Sequence, residues 1–461
     1  MRIYLIAILI VSISFSFSRK DEYEMDGLWQ AVGYGKILKI DKSKIKTYDY
    51  NNLSCTPYWG VDLMKNFKRF FNPYFIHDDT LILTLGPTKY KYFRIGRIPE
   101  TCNGKPYDYS RNLNFNSFIE SFKTYYAYSK ERELDWDKIK QKYQPQINEE
   151  MTDLQMLTVF ENIISEVDDK HTKMSWVPKK LRQQYDNLYK PKLNYDSLWV
   201  EAQNKTVKNH LKQYNNFNLN TLIWGITNDN IGYLQINDMN MYSQYNVSNK
   251  LVDQSNWNKF DSKWGKTSDF ESDHYKTRSK LMNRILKDFE QTDGVVVDFR
   301  FQEGGYGFNA LGLLSFFSDS SKTVYSKKVK SNDGFTQAHP VIIESQPNAL
   351  TKKMVLLTSR ATLSGGDIFT LSTMSLPHIT RIGNNTSGHF SSFCGKVLPN
   401  GWTFNMSSQV CTGPDGNNYE VIGIPPHIQT DTVSSAISFY KSILKSEEDI
   451  TMKRAVQFLK N

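Results

Sequence analysis

The stretch between residues 358 and 369 places Ser364 among small residues at the boundary of two different patterns. The apolar run at 354–357 predicts a buried strand, and the residues that follow Ser364 favour a helix. Such a turn exposes a hydroxyl, and the N–H groups of the helix point at any anion that forms there. The segment suits a serine nucleophile, although alone it better fits a helix N-cap at Ser364 with Asp367 at the capping-box position.

Three further segments contain the partners that a serine nucleophile requires. Gly304 and Gly305 follow the apolar run at 294–298, where a glycine pair alone indicates a turn. His171 follows a helical pattern directly, a place where an isolated histidine is usually a surface or capping residue. Glu420 precedes a Gly/Pro turn and by itself suggests a solvated carboxylate. A hydroxyl at neutral pH needs an adjacent base, and a histidine oriented by a carboxylate supplies one.

The elements that must position these residues change in type along the chain. Short alternations of apolar and polar residues from about 24 to 100 predict a small β-rich module. From about 113 to 190 the pattern is helical, and it includes one amphipathic helix that ends at 168–170, just before His171. From about 230 onward, apolar strands alternate with helical stretches, which predicts α/β architecture with a partly parallel sheet.

Charge and the N-terminal residues limit the classes of function. The 461 residues include 57 Lys and Arg against 48 Asp and Glu, and the net charge of +9 is spread along the chain. Nucleic-acid binding needs basic residues on one face, so none is expected. Arg2, an apolar run over 4–17 and the small residue Ser18 predict a secretory signal peptide cleaved after Ser18 and a periplasmic or extracellular protein. An uncleaved anchor is the less favoured alternative, because a membrane span needs about 20 apolar residues.

The 4 cysteines suit an exported chain with two disulfides. Proximity in the sequence pairs Cys55 with Cys102 and Cys394 with Cys411. Three connectivities are possible, and all the thiols could also be free. No cysteine has the CxxC spacing of a metal site, and the serine chemistry requires neither a metal nor a cofactor.

Taken in order, these segments resemble the tail-specific serine peptidase family, in particular its tricorn-core branch. The family shows a D-x-H-T-like segment after a helix, a GYL-x-I strand, a glycine-pair segment, a T-x-S-x-x-[ED] segment and a closing E-x-x-G-[VI]-x-P-D segment. The corresponding residues here are 166–172, 232–236, 298–305, 358–369 and 420–427. The resemblance extends roughly over residues 113–432.

The resemblance implies an α/β fold: a crotonase/Clp-protease-like β-α catalytic core with a helical cap subdomain and an N-terminal β-rich module. It implies hydrolysis of peptide bonds in a peptide or protein substrate through an acyl-enzyme. Ser364 would be the nucleophile, His171 the general base, and Glu420 the residue that orients the base. It makes no prediction of the oligomeric state.

Backbone N–H groups would hold the oxyanion in this scheme, one from Gly365 and one from Gly304 or Gly305. The corresponding division of the chain has four parts. They are a signal peptide at 1–18, the β-rich module at 19–105, the helical cap with the catalytic histidine at 106–190, and the α/β catalytic domain at 191–461.

The chain departs from the family pattern at two positions. Many members use a Ser–Lys dyad, but the corresponding run at 383–389 ends in His389, so the alignment excludes a lysine base there. His389 is a rival for the base because it is closer in sequence to Ser364, and we favour His171 because its motif matches. The other departure is His427, which replaces the usual aspartate, and no PDZ-like loop is recognisable.

Two other classes of function stay open. The family includes relatives that bind retinoids, so a non-catalytic protein that binds an apolar small molecule or a peptide is one alternative. An esterase or amidase for small molecules is another, because acyl chemistry does not depend on the leaving group. Retention of a serine, a histidine and a glutamate in the expected segments favours the peptidase.

Overall fold

The computed structural model describes residues 25–42, 44–58, 71, 74–86, 88–103, 108–189, 195–218, 220–242 and 270–461. The predicted signal peptide at 1–18 lies outside these residues. Among the helices that the structure describes, none is long and apolar enough to cross a membrane.

The N-terminal module is a seven-stranded antiparallel sheet with the order β4-β3-β2-β1-β7-β6-β5. Its strands are β1 (Gly27–Ala31), β2 (Lys36–Asp41), β3 (Lys44–Tyr50), β4 (Cys55–Tyr58), β5 (Tyr74–His77), β6 (Thr80–Leu85) and β7 (Thr88–Ile95). Alternate residues point to one face, where Trp29, Leu38 and Leu81 form a small core. The predicted β-rich module is therefore confirmed.

The helical cap follows and contains the turn that carries His171. Its elements are α1 (Arg111–Tyr125), α2 (Trp136–Tyr143), α3 (Asp153–Val167), β8 (Lys173–Trp176) and α4 (Lys179–Tyr189). Thr152 and Gln155 form a capping box at the start of α3. The helix ends at Asp168, whose φ of 49° is left-handed and turns the chain sharply.

The central sheet has the order β21-β17-β16-β12-β11-β10-β9, and β11, β12, β16, β17 and β21 are parallel. These strands are β9 (Asn215–Phe217), β10 (Leu222–Ile226), β11 (Ile231–Ile236), β12 (Gly294–Asp298), β16 (Met354–Thr358), β17 (Ile379–Gly383) and β21 (Ile428–Gln429). The helices are α5 (Tyr195–His210), α6 (Phe270–Asp288), α7 (Gly307–Leu314), α8 (Gly365–Ser372), α9 (Ala436–Lys445) and α10 (Ile450–Lys460).

Both faces of this sheet are covered, which explains why its strands are apolar without alternation. Val295 and Val297 pack in the core that contains α6, α7 and α8, whereas Val296 packs against residues of α5 and α10. The predicted α/β architecture with a partly parallel sheet is confirmed.

Two smaller sheets join the core to the other parts. One contains β13 (Lys322–Ser331), β14 (Gly334–Phe335), β15 (His339–Ile343) and β20 (Gln409–Thr412); the other contains β18 (Phe393–Val397), β19 (Thr403–Ser407) and β8. Lys396 on β18 donates to Asp49 Oδ1 of the N-terminal sheet at 2.9 Å, and both side chains are buried. The module is thus docked on the core through a buried ion pair.

The cysteines divide into one disulfide and two free thiols. Cys55 and Cys102 are bonded, as proximity in the sequence predicts. The second predicted pair is wrong, because Cys394 and Cys411 are both free and buried. They lie on β18 and β20, strands of different sheets, and pack into two different hydrophobic cores.

Candidate active site

Ser364 lies in the turn between β16 and α8, at the N-cap position of the helix. Its backbone has a φ of 57° and a ψ of −108°, whereas N-cap residues ordinarily have extended backbone angles. Asp367 Oδ2 accepts from the Ser364 N–H at 2.9 Å, which holds the turn. Capping therefore accounts for Asp367, but it does not account for the positive φ of Ser364, a kind of strain that clusters at functional sites.

The glycine pair after β12 packs directly against this turn. Gly304 and Gly305 have φ values of 115° and 116°, which side-chain-bearing residues rarely adopt. A Cβ on Gly304 would lie 2.8 Å from the Ser364 Cβ, and one on Gly365 would lie 3.0 Å from the Gly305 carbonyl oxygen. Gln302 Oε1 accepts from the Gly304 N–H at 2.8 Å, so that N–H is already engaged.

His171 is held by the turn that follows α3. Asp169 Oδ1 accepts from the His171 backbone N–H at 2.9 Å, and Asp169 Oδ2 accepts from the Thr172 hydroxyl at 2.9 Å. The imidazole is 3% exposed, and its Nδ1 has no hydrogen-bond partner among the described residues. Burial lowers the pKa of His171 to about 4, although the Asp169 carboxylate opposes this shift.

Glu420 pairs with Arg132 of the cap, but it forms no hydrogen bond with the His171 imidazole. Arg132 Nη2 donates to Glu420 Oε1 at 3.0 Å, and the Phe390 N–H donates to Oε2 at 2.9 Å. Burial raises the pKa of Glu420 to about 8, the Asp169 carboxylate adds to this rise, and the two donors oppose it. The next residue, Val421, has a φ of 71°, which is strained for a β-branched residue. The expected hydrogen bond between Glu420 and His171 is not formed in this structure.

His389 is close to His171, with ring centroids 5.9 Å apart. Its Nδ1 hydrogen-bonds with Ser387 Oγ at 3.2 Å, and its backbone N–H donates to Asp367 Oδ2 at 3.0 Å. Burial lowers the pKa of His389 to about 3. His171 and Ser364 line one cavity, and His389 is not among its lining residues.

This cavity has a volume of about 860 Å³ and lies beside Ser364. The core contributes Gly304, Gly305 and Gly365 to its wall, and the cap contributes Lys170, His171 and Lys173. The N-terminal sheet also reaches it, with Leu85, Thr88 and Tyr90. The β-rich module is therefore part of the wall of the candidate site.

Several residues at the site carry no strong signal in the sequence. Arg132, which lies between α1 and α2, holds Glu420 across 288 residues of chain, a distance at which no local pattern connects them. Lys170 donates to Ser387 Oγ at 2.9 Å, and burial lowers the pKa of its ammonium. Asp169 is the exception, since its place two residues before His171 could have indicated an orienting carboxylate.

The described residues contain no group of three or more His, Cys, Asp or Glu side chains that could hold a metal ion. The arrangement instead combines a hydroxyl at a helix N-terminus, a neutral imidazole and glycine backbone around one cavity.

Comparison with known proteins finds a family model that matches one part of the chain. Residues 230–430 match the model of peptidase family S41, which confirms the resemblance to tail-specific serine peptidases. The nisin-resistance protein of Lactococcus lactis subsp. lactis is 28% identical over 163 residues, which cover 33% of this chain and 51% of that protein. The chain thus spans about half the length of the curated relative that it matches.

Two solved structures resemble this chain to different degrees. A provisionally assigned peptidase from Parabacteroides merdae has a TM-score of 0.55 and 19% identity, covering 76% of this chain and 97% of that one. A lipoprotein from Streptococcus agalactiae has a TM-score of 0.44 and 14% identity, covering 80% of this chain and 99% of that one. The first of these likenesses supports the fold described above.

Proposed function

Because residues 230–430 form a peptidase family S41 domain, we propose that this chain is an exported serine peptidase that forms an acyl-enzyme on Ser364. The observation that carries the proposal is the backbone of Ser364. Its positive φ at the N-terminus of α8 has no explanation as a cap, and the residue lines the same cavity as the buried His171. Strain of this kind is characteristic of a nucleophile on a sharp strand-to-helix turn.

His171 is proposed as the general base. It would take the proton from the Ser364 hydroxyl during attack and give it to the leaving amine. With a pKa of about 4 the imidazole is neutral at pH 7 and can accept a proton, although the lowered pKa makes it a weaker base than an ordinary histidine. Its place in the cavity wall, which His389 lacks, supports His171 over His389.

Glu420 is proposed as the carboxylate that supports His171. Arg132 and the Phe390 N–H fix its orientation. Because burial raises the pKa of Glu420 to about 8, its carboxyl would have to lose its proton and approach the imidazole in order to stabilise the imidazolium. Catalytic hydrogen bonds are often absent or long without substrate and tighten in the complex. The Asp169 carboxylate favours the protonated imidazole in this structure, and it accepts from the His171 backbone N–H.

The oxyanion is proposed to lie between the glycine loop and the start of α8. Gln302 already accepts from the Gly304 N–H, which leaves the Gly305 and Gly365 N–H groups as the proposed donors. Removing one such donor typically raises the barrier by about 3 kcal/mol. The substrate is proposed to be a peptide or protein.

Export is proposed from two features. The predicted signal peptide at 1–18 directs the chain to a secretory route. The Cys55–Cys102 disulfide supports the same location, because disulfides persist in oxidising compartments.

The test is labelling of the mature chain with a fluorophosphonate probe, which reacts only with an activated serine. We expect the wild type to label at Ser364, Ser364→Ala not to label, and the exposed-site control Ser320→Ala to label fully. Peptide mass mapping identifies the modified serine. A folded wild type that never labels would contradict the proposal and favour a binding protein.

A further inference from the structure

Lys327 is a buried lysine in the wall of the cavity that contains Ser364. It lies on β13, where its cross-strand neighbours are Cys411 on β20 and His339 on β15. The residue is 4% exposed, and its Nζ donates to Thr88 Oγ1 at 3.0 Å. An ammonium has three N–H donors, so Thr88 satisfies only part of its capacity.

In the ranges that the structure describes, no Asp or Glu side chain forms an ion pair with the Lys327 ammonium. Its electrostatic neighbours are the Cys411 thiol, which is neutral because burial raises its pKa to about 12, and the His339 imidazole. Lys89 also acts on His339, so the neighbours of Lys327 on this sheet include no acidic group. Burial correspondingly lowers the pKa of Lys327.

Lys396 is a second buried lysine, and it differs from Lys327 in having an ion-pair partner. It is 1% exposed, and its Nζ donates to Asp49 Oδ1 at 2.9 Å and to the Tyr34 carbonyl at 2.7 Å. Buried charges are costly unless they are paired in this way. The Lys327 ammonium is buried in the cavity wall without such an ion pair, so the free-energy cost of burying its charge is not offset.

We propose that Lys327 forms a carboxylate-binding subsite, which recognises an acidic group of the substrate. The inference rests on the proposed peptidase function and adds a substrate class to it. A carboxylate that enters the cavity would accept a charge-assisted hydrogen bond and supply the missing counterion. Two sources provide this chemistry in a peptide, namely an Asp or Glu side chain and the terminal carboxylate.

The first test measures binding to Ser364→Ala, which cannot turn over, with fluorescent peptides that carry either Glu or Gln at one position and either a free or an amidated C-terminus. We expect the peptides with a carboxylate to bind at least about 10-fold more tightly than their amide counterparts, the size typical of a hydrogen bond to a charged group. If Glu raises the affinity of peptides whose C-terminus is amidated, the side chain is the source of the carboxylate. If the affinity depends on a free C-terminus instead, the source is the terminal carboxylate.

Lys327→Met in the same background should abolish this preference and leave the affinity for the neutral peptides unchanged. The matched control is Lys328→Met, which removes a charge from the next residue on β13, whose side chain lies over the Phe335 ring instead. That control should keep the preference. If Lys327→Met fails to fold, Lys327→Gln, which retains a polar partner for Thr88, provides the same comparison.

If Ser364→Ala with an intact Lys327 binds the carboxylate peptides and their amide counterparts with equal affinity, the subsite is overturned. A lower Tm of Lys327→Met together with an unchanged preference for carboxylate peptides would also overturn the subsite. In that case the role of Lys327 would be a structural hydrogen bond to Thr88. Fluorophosphonate labelling of the wild type separates failure of the subsite from failure of the proposed peptidase function. It reports on Ser364 and not on Lys327, so a wild type that labels while the carboxylate preference is absent would contradict the subsite alone.

Discussion

Gly304 and Ser364 are in contact through backbone and side chain: a Cβ on Gly304 would lie 2.8 Å from the serine Cβ and 3.3 Å from its Oγ. The two residues meet because they follow β12 and β16, which are adjacent parallel strands whose carboxyl ends lie at the same edge of the sheet. Both have positive φ values. The contact therefore fixes the hydroxyl relative to the next residue, Gly305, whose N–H we propose as an oxyanion donor.

Gly304→Ala is expected to reduce the rate of fluorophosphonate labelling by about 100-fold, the loss typical of a 1 Å displacement at a reacting centre. The added methyl would collide with Ser364, and the φ of 115° would strain any residue with a Cβ. The matched control is Gly96→Ala, because a Cβ there meets no atom within 4 Å. Full labelling of a folded Gly304→Ala protein would contradict the proposed geometry.

The choice between the two histidines is tested by single substitutions. We expect His171→Ala to lower kcat/KM by at least about 1,000-fold, because it removes the proposed base. His389→Ala should retain substantial turnover, since His389 does not belong to the cavity wall. Peptide hydrolysis under identical conditions gives both values, and circular dichroism establishes that both variants fold. Near-normal activity of His171→Ala would transfer the role of base to another residue.

The sequence predicts the parts of the site that depend on local patterns. An apolar strand, small residues and a helical run place Ser364, and a helix followed at once by a histidine places His171. The sequence does not predict the ion pairs that hold these segments in place, because each pair joins residues that are far apart in the chain. Arg132 pairs with Glu420, and Asp49 pairs with Lys396, only after the cap and the N-terminal module dock on the core.

The same limit explains the incorrect disulfide. Cys394 and Cys411 are close in sequence, but strand pairing places them in separate sheets, and each side chain packs into a different core. Proximity succeeded for Cys55 and Cys102 because the 3-10 turn containing Cys102 packs directly beside β4. Whether two cysteines that are near in sequence form a disulfide depends on the topology of the sheets, which their spacing in the sequence does not determine.

The pH dependence of kcat/KM should reflect the burial of His171. Its pKa of about 4 is below the ordinary value for histidine, so the base stays neutral and active through the range in which an exposed histidine becomes protonated. We expect the acid limb of the profile to have its midpoint well below pH 6.5, with activity falling only as the pH approaches about 4. A midpoint at or above pH 6.5 would contradict the assignment.

Lys173 provides a way to shift this limb. Its exposed ammonium disfavours the charged imidazole, so Lys173→Met should raise the pKa of His171 and move the acid limb to higher pH. The shift should shrink as salt is added, because exposed charges are screened. Lys179→Met, at another exposed position of the cap, should leave the limb in place. The measurement is the midpoint of the profile at low and high ionic strength.

Arg300 connects the strand that leads to the glycine loop with the C-terminal helix. Its guanidinium donates to Asp298 Oδ2 at 2.7 Å and to Asp449 Oδ1 at 2.8 Å, and all three side chains are buried. Asp298 is the last residue of β12, and Asp449 caps α10. The network therefore fixes the end of the strand from which the glycine loop departs.

Arg300→Met should lower the free energy of unfolding by about 3 to 5 kcal/mol, because it removes the buried counterion of Asp298 and leaves Asp449 with His210 as its remaining ion-pair partner. Urea denaturation at pH 7 measures this loss. The control is Lys453→Met, whose ion pair with Glu448 is largely exposed and should contribute little. The Arg300 guanidinium holds the pKa of Asp449 far below its usual range, although burial opposes it, so this stabilisation is present above the unfolded pKa and is lost as the pH falls. If the network acts as described, the difference in stability between wild type and Arg300→Met therefore narrows towards acidic pH; a difference that stays constant down to pH 3 would contradict it.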